Sequence, residues 1–182
     1  MAKADELFRQ YGFEKTTVAD IARELGMSSA NIYKFFPSKR AIVESSAERN
    51  LGTLVEAVCK VIHAPGGALE RMEETLLTIH HFHQKRLIED RSRMVKILMA
   101  AIDENWACIR RYDDFLLDTM SDLIQQGVDS GEFHVEQIRE TAQKVIHGLS
   151  LIIKPNLHSL HIPIEGEEWI REQVHFIARA LK

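Results

Sequence analysis

Thr17-Val18-Ala19-Asp20-Ile21-Ala22-Arg23-Glu24-Leu25-Gly26-Met27-Ser28-Ser29-Ala30-Asn31-Ile32-Tyr33-Lys34-Phe35-Phe36-Pro37-Ser38-Lys39 reads as two short helices and the start of a third. Val18, Ile21, Ala22 and Leu25 follow the 3.6-residue period and predict a helix over about 17–25. Thr16 or Thr17 is placed to accept from an orphan N–H at its start, with Asp20 favourable near the positive end. Gly26 closes this helix, and only Met27 and Ser28 separate it from the next, about 29–36. That one stops before Pro37, and Ser38 caps a long helix running to about residue 63. Two short helices around a tight glycine-containing turn make a helix-turn-helix, whose second helix is shaped to lie in a DNA major groove.

Composition on the second helix agrees. Ile32 and Phe36, four residues apart, form a buried edge, while Ser29, Asn31, Tyr33 and Lys34 supply short donors, an amide, a phenol and a cation. Those groups suit base edges and phosphates. Lys39 and Arg40 then fall in the first turn of the long helix. Cations at that positive end are disfavoured by roughly 0.3–1 kcal/mol each, and a bound phosphate reverses the sign.

Working outward, Leu7, Phe8 and Tyr11 form a short apolar face ended by Gly12, read as a left-handed stop. Downstream, helices are expected over about 68–89, 92–103, 106–129, 135–154 and 166–181, for nine in all. Pro65-Gly66-Gly67, Gly127 to Gly131 and Pro155 serve as breaks. Strand alternation is nearly absent and no internal repeat occurs, so the expected class is all-α.

The 182 residues leave room for one large domain or two small ones. Lys plus Arg is 23 against 27 Asp plus Glu, a net charge of −4 that argues against a uniformly basic nucleic-acid coat protein. The charge is unevenly divided, however. Residues 1–49 hold eight Lys/Arg against seven Asp/Glu, net +1, and residues 50–182 hold fifteen against twenty, net −5. Six of the thirteen aromatics lie in the first 36 residues, and all nine histidines lie beyond residue 49. The expected division is therefore a head, 1–49, and an acidic body, 50–182. Two cysteines, Cys59 and Cys108, make no disulfide framework and no metal-type pair, which favours a reducing, cytoplasmic location. No apolar run approaches a membrane span and the start lacks a secretory segment, so a soluble protein without membrane contact is expected.

Residues 5–49 resemble the N-terminal domain of the TetR/AcrR transcriptional regulators. The matching residues are Leu7-Phe8…Tyr11-Gly12-Phe13, Thr17-Val18-Ala19-Asp20-Ile21-Ala22, Leu25-Gly26-Met27-Ser28 and Asn31 through Lys39, including Tyr33-x-x-Phe36-x-x-Lys39. About a quarter of the chain carries this match. The stretch Gln126-Gly127-Val128-Asp129-Ser130-Gly131-Glu132-Phe133 also resembles the end of a body helix in many members. The resemblance implies that Thr17, Ser29, Tyr33 and Lys39 hold phosphates of double-stranded operator DNA, while Asn31, Lys34 and Ala30 face bases. Phe35 departs from the His or Tyr common in members, and two roles are open for it: contact with a thymine methyl, or packing. Members usually begin the first helix several residues earlier, often behind a basic arm; here Met1 falls inside it, so the arm is absent or was trimmed.

For the body, the resemblance implies a homodimer through the helices at about 135–154 and 166–181. Gly148 and Ala142 would allow close approach, and Trp169, Phe176 and Ile177 would supply apolar area. One short reading helix offers few contacts, so a twofold pair spanning one DNA turn is independently motivated. The resemblance also implies an effector pocket, with Phe82, His83, Met94, Met99, Trp106, Tyr112, Phe115, Met120 and His147 as candidate lining. Aromatics and methionines at such spacing more often form plain core.

His80 with His83, His158 with His161, and Glu172-x-x-His175 have helical metal-ligand spacing, but neither a second Glu-x-x-His element nor a nearby cysteine completes a site. No metal and no cofactor is expected. No nucleophile–base pair, phosphate loop or paired-carboxylate motif points to an enzyme. The leading expectation is a ligand-responsive repressor released from a palindromic operator. The competing one is a helical metal- or cofactor-binding protein whose DNA-binding head is vestigial.

Overall fold

The computed structural model describes residues 1–89, 93–153 and 166–182. Every regular element among them is helical: α1 (Ala2–Tyr11), α2 (Val18–Glu24), α3 (Ser29–Tyr33), α4 (Lys39–Ile62), α5 (Ala68–Glu89), α6 (Arg93–Asp103), α7 (Ala107–Asp129), α8 (Ile138–Gly148), α9 (Ser150–Ile153) and α10 (Glu167–Ala178). These are the nine expected helices with one divided, since the segment expected over 135–154 breaks at Leu149 into α8 and α9. Pro155, expected to kink or end that helix, lies outside the described residues.

The boundaries have local causes. Thr17 caps α2 by accepting from the Asp20 N–H while the Asp20 carboxylate accepts from the Thr17 N–H, a reciprocal capping box. At the other end Gly26 takes φ +63°, and the Gly26 and Met27 N–H groups return to the carbonyls of Arg23 and Ala22, which completes a Schellman motif. Ser28 Oγ accepts from the Asn31 N–H and Ser38 Oγ from the Ala41 N–H, capping α3 and α4.

The structure corrects three expected ends. Helix α3 stops at Tyr33 rather than Phe36: Lys34 and Phe35 donate three residues back, to Asn31 and Ile32, and Pro37, lacking an N–H, cannot extend the ladder beyond Phe36. Gly12 has the positive φ expected of a stop, +86°, but its ψ of 149° is the extended, glycine-only region and not the left-handed helical one. Helix α8 begins at Ile138 rather than 135 because Phe133 donates to the Gly127 carbonyl and His134 to that of Leu181.

The described residues form two compact units. The first comprises Met1–Thr53 with Gln84–Arg111, and so contains all of residues 1–49. Its core includes Phe8, Ile21, Ile32, Ile42 and Ile97, with α2 packed on α3 and α1 on α6. Within this core Asp5 is 2% exposed; it accepts from the fully buried Ser46 hydroxyl and pairs with Arg49. The second unit, Leu54–His83 with Tyr112–Lys182, is built on Leu54, Met72, Leu76, Leu123, Phe133, Leu149, Ile170 and Val174.

Gly127 and Glu132 give the stretch 126–133 a physical purpose in this second unit. A Cβ at Gly127 would fall inside the ring of Phe133, which is 1% exposed, so glycine is what lets that ring cover the end of α7. Glu132 accepts from the N–H groups of Ala68 (3.0 Å) and Leu69 (3.2 Å), capping α5 from 64 residues away. These backbone bonds, that of Ala68 foremost, hold its carboxyl below the ordinary range.

Candidate nucleic-acid interface

The outer face of α3 follows from its buried edge. With Ile32 buried and Phe36 half-buried on one side, the 100° step per residue turns Ala30, Asn31 and Lys34 away from it. Ala30, Tyr33 and Lys34 are exposed, and Ser29 and Asn31 are half-buried. The residues expected to face bases thus share one accessible face, with Tyr33 at its margin.

The residues expected to hold phosphates are more occupied than the sequence suggests. Thr17 is exposed, but its hydroxyl donates to Asp20 at 2.6 Å as well as capping α2. Asp20 also takes a bond from Arg23, and its carboxyl is lowered, chiefly by the Thr17 hydroxyl. Lys39 is the first residue of α4, and its Nζ donates to the Glu14 carbonyl at 2.9 Å.

Lys39 and Arg40 part company in the structure. The Arg40 guanidinium pairs with Glu44 (2.8 Å) and Glu104 (2.7 Å) and lies 5.5 Å from the centre of the Trp106 ring. Arg40 therefore already has two anions and an aromatic face to offset its position at a positive helix end. The sequence signal for an anion at this terminus narrows to Lys39.

The nine residues expected around an effector are drawn from both units. Met99 and Trp106 belong to the first unit, and Phe82, His83, Tyr112, Phe115, Met120 and His147 to the second. The side chain of Met94 lies outside the described residues. Trp106 is committed: its indole N–H donates to Glu104 at 3.1 Å while its ring carries Arg40. His147 is exposed, two residues beyond buried Val145 and so on the far side of α8. His83 is buried and its Nε2 donates to the Ile153 carbonyl at 3.2 Å. Burial pushes that ring down to about 4.

Tyr112 is the opposite case. It is 5% exposed, burial pushes its phenol up, and its hydroxyl has no hydrogen-bond partner among the described residues. The same holds for the hydroxyl of Thr75, 1% exposed on α5. Sequence reasoning named Tyr112 and missed Thr75, whose position inside an apolar stripe was its only signal. A separate open groove of about 630 Å³ is lined by Leu69 of α5, by residues of α10 including Phe176, and by Arg179 and Lys182 beyond it, and by none of the nine expected residues.

On the helices expected to pair two chains, Ala142 is fully buried within its own chain, which removes it from any partner-facing surface. Gly148 and Phe176 are exposed, and Trp169 and Ile177 half-buried. Among the described residues no three His, Cys, Asp or Glu groups are placed to hold a metal; His158 and His161 lie outside them. His81 pairs with Glu167 at 2.9 Å and His175 with Glu73 at 3.2 Å. No described helix is long and apolar enough to cross a membrane.

Comparison with known proteins agrees with this geometry along the chain. Residues 1–45 match the family described as bacterial regulatory proteins, tetR family, and residues 68–172 match the tetracyclin repressor-like C-terminal domain. The nucleoid occlusion factor SlmA of Haemophilus influenzae (strain PittGG) is 32% identical over 79 residues, which span 43% of this chain and only 36% of that protein. The fatty acid metabolism regulator protein of Bacillus subtilis (strain 168) is 22% identical over 148 residues, 80% of this chain and 74% of that protein. The crystal structure of the regulator PfmR from Thermus thermophilus shares the fold, with a TM-score of 0.64 at 23% identity over 99% of this chain and 97% of that one.

Proposed function

Because the chain belongs to the TetR family of bacterial regulatory proteins, and is a transcriptional regulator of that family, we propose that it represses from a palindromic operator and is released by a small-molecule effector. The outward face of α3, with Asn31 and Lys34 beside Ala30, is the observation that carries this reading. In it, Asn31, Lys34 and Ala30 meet base edges, and Thr17, Ser29, Tyr33 and Lys39 hold phosphates. Residues 50–182 take the effector and join two copies, with exposed Phe176 on α10 supporting the contact.

The test is binding of the full chain to duplexes selected from a random pool, measured by fluorescence anisotropy across salt. Log affinity falls with log salt, at about 0.9 per phosphate neutralised. Lys39→Ala is expected to reduce that slope by about 1.8 for a dimer, while Lys39→Arg keeps it. An unchanged slope removes Lys39 from the interface, and failure to select any duplex defeats the regulator reading.

The unpartnered hydroxyls of Tyr112 and Thr75 support an effector with a polar group, since buried hydroxyls ordinarily find partners. Fatty acyl compounds are the first class to try, prompted by the name of the Bacillus subtilis relative. Tyr112→Phe separates an effector role from a packing role. The free protein is expected to gain about 1 kcal/mol, because the variant loses an unsatisfied donor and little volume. Thermal stabilisation by a responsive compound is expected to weaken. A less stable free variant would mean that the hydroxyl has a partner in solution.

A further inference from the structure

Resting on the proposed reading of DNA by α3, we infer that Phe35 is a specificity-determining residue that recognises the 5-methyl group of a thymine in the major groove. Its surroundings argue against packing: at 71% exposure it is the most exposed of the large apolar side chains among the described residues. Six such side chains are exposed, and five of them (Tyr11, Leu25, Met27, Tyr33 and Phe35) fall within the first 35 residues. Apolar area is therefore left open on the part of the chain that carries the polar reading face.

The backbone places this ring beside that face. Lys34 keeps helical geometry, with φ −67° and ψ −29°, and the Phe35 N–H donates to the Ile32 carbonyl at 3.0 Å. The helical turn thus carries on past Tyr33, and Phe35 follows Asn31 by one turn on the same side of the chain. Its neighbours, buried Ile32 and half-buried Phe36, lie on the other edge. Asn31 and Lys34 can form hydrogen bonds to base edges; Phe35 cannot. The group a phenyl ring can tell apart on a major-groove edge is the thymine methyl, since the other edge atoms are hydrogen-bonding donors and acceptors.

The experiment uses the full chain and a duplex it has selected, with each thymine replaced singly by deoxyuridine. That change deletes the methyl and leaves the hydrogen-bonding edge intact. One position in each half-site is expected to bind about fourfold more weakly as uracil, the equivalent of one buried methyl-sized group, and both together about fifteenfold. Phe35→Ala is expected to bind the thymine and uracil duplexes alike, and Phe35→Leu to keep part of the preference.

Uracil tolerated at every position overturns the inference, as does an unchanged ratio in Phe35→Ala. Equal weakening on all duplexes would make the ring a general contact and overturn it too. Selection of no duplex at all appears before any uracil is introduced; it defeats the regulator reading first and this inference with it.

Discussion

Arg49→Met is expected to destabilise the protein by about 3–5 kcal/mol, more than removal of the carboxylate that Arg49 pairs with. The asymmetry comes from burial. The side chain of Asp5 is 3% exposed and that of Arg49 48%. Without Arg49, the Asp5 carboxylate stays inside, still bonded by the Ser46 hydroxyl but without the guanidinium beside it. Without Asp5, the guanidinium turns to water and the loss is mostly the Ser46 bond, about 1–2 kcal/mol. The double variant Asp5→Ala/Arg49→Met is then more stable than Arg49→Met alone. Urea unfolding of the three variants checks this, and the idea fails if Asp5→Ala is the least stable. The tie joins α1 to α4, the helix whose first residue is Lys39.

Acidification from pH 7 to pH 4 is expected to remove about 3 kcal/mol through His83. The folded ring titrates at about 4, held down first by burial and further by His80, against its bond to the Ile153 carbonyl. The unfolded ring titrates at about 6.5. Between those values the unfolded chain binds a proton that the folded ring refuses. The contribution is therefore complete above about 6.5, is lost as pH falls toward 4, and levels off once the folded ring is itself protonated. His80 is lowered in the same direction by burial and by His81, and the lowered carboxyl of Glu132 adds a loss deeper in the acid range. Urea midpoints at pH 7, 5.5 and 4 for the native chain and His83→Leu test the assignment. The variant's profile is expected to be flatter, and parallel profiles would exclude His83 as the source.

The head was legible because its instructions are local. Thr17 and Asp20 lie one turn apart, Gly26 directly follows the helix it ends, and Pro37 lies within four residues of the end of α3. The acidity of the whole chain concealed a head of net +1, so the placement of charge was informative where its sum was not. What escaped the sequence acts across distance. Arg40 finds Glu104 and Trp106 more than sixty residues on, and nothing in the first turn of α4 announces them. The exposure of His147 was legible in the sequence alone: it is out of phase with the stripe Ile138, Ala142, Val145 and Leu149 that buries α8. Thr75 was hidden for the opposite reason, being in phase and polar.

The cap that Glu132 places on α5 also bears on how the chain is made. Helix α5 opens after Pro65-Gly66-Gly67 with no Ser, Thr, Asp or Asn of its own at that end. During synthesis its first turn leaves the ribosome well ahead of its cap, by roughly 3–13 seconds at about 5–20 residues per second. Until the chain reaches residue 132, the Ala68 and Leu69 N–H groups have only water, and the turn frays. The start of α5 becomes fixed late in translation, only once α7 has been made in full.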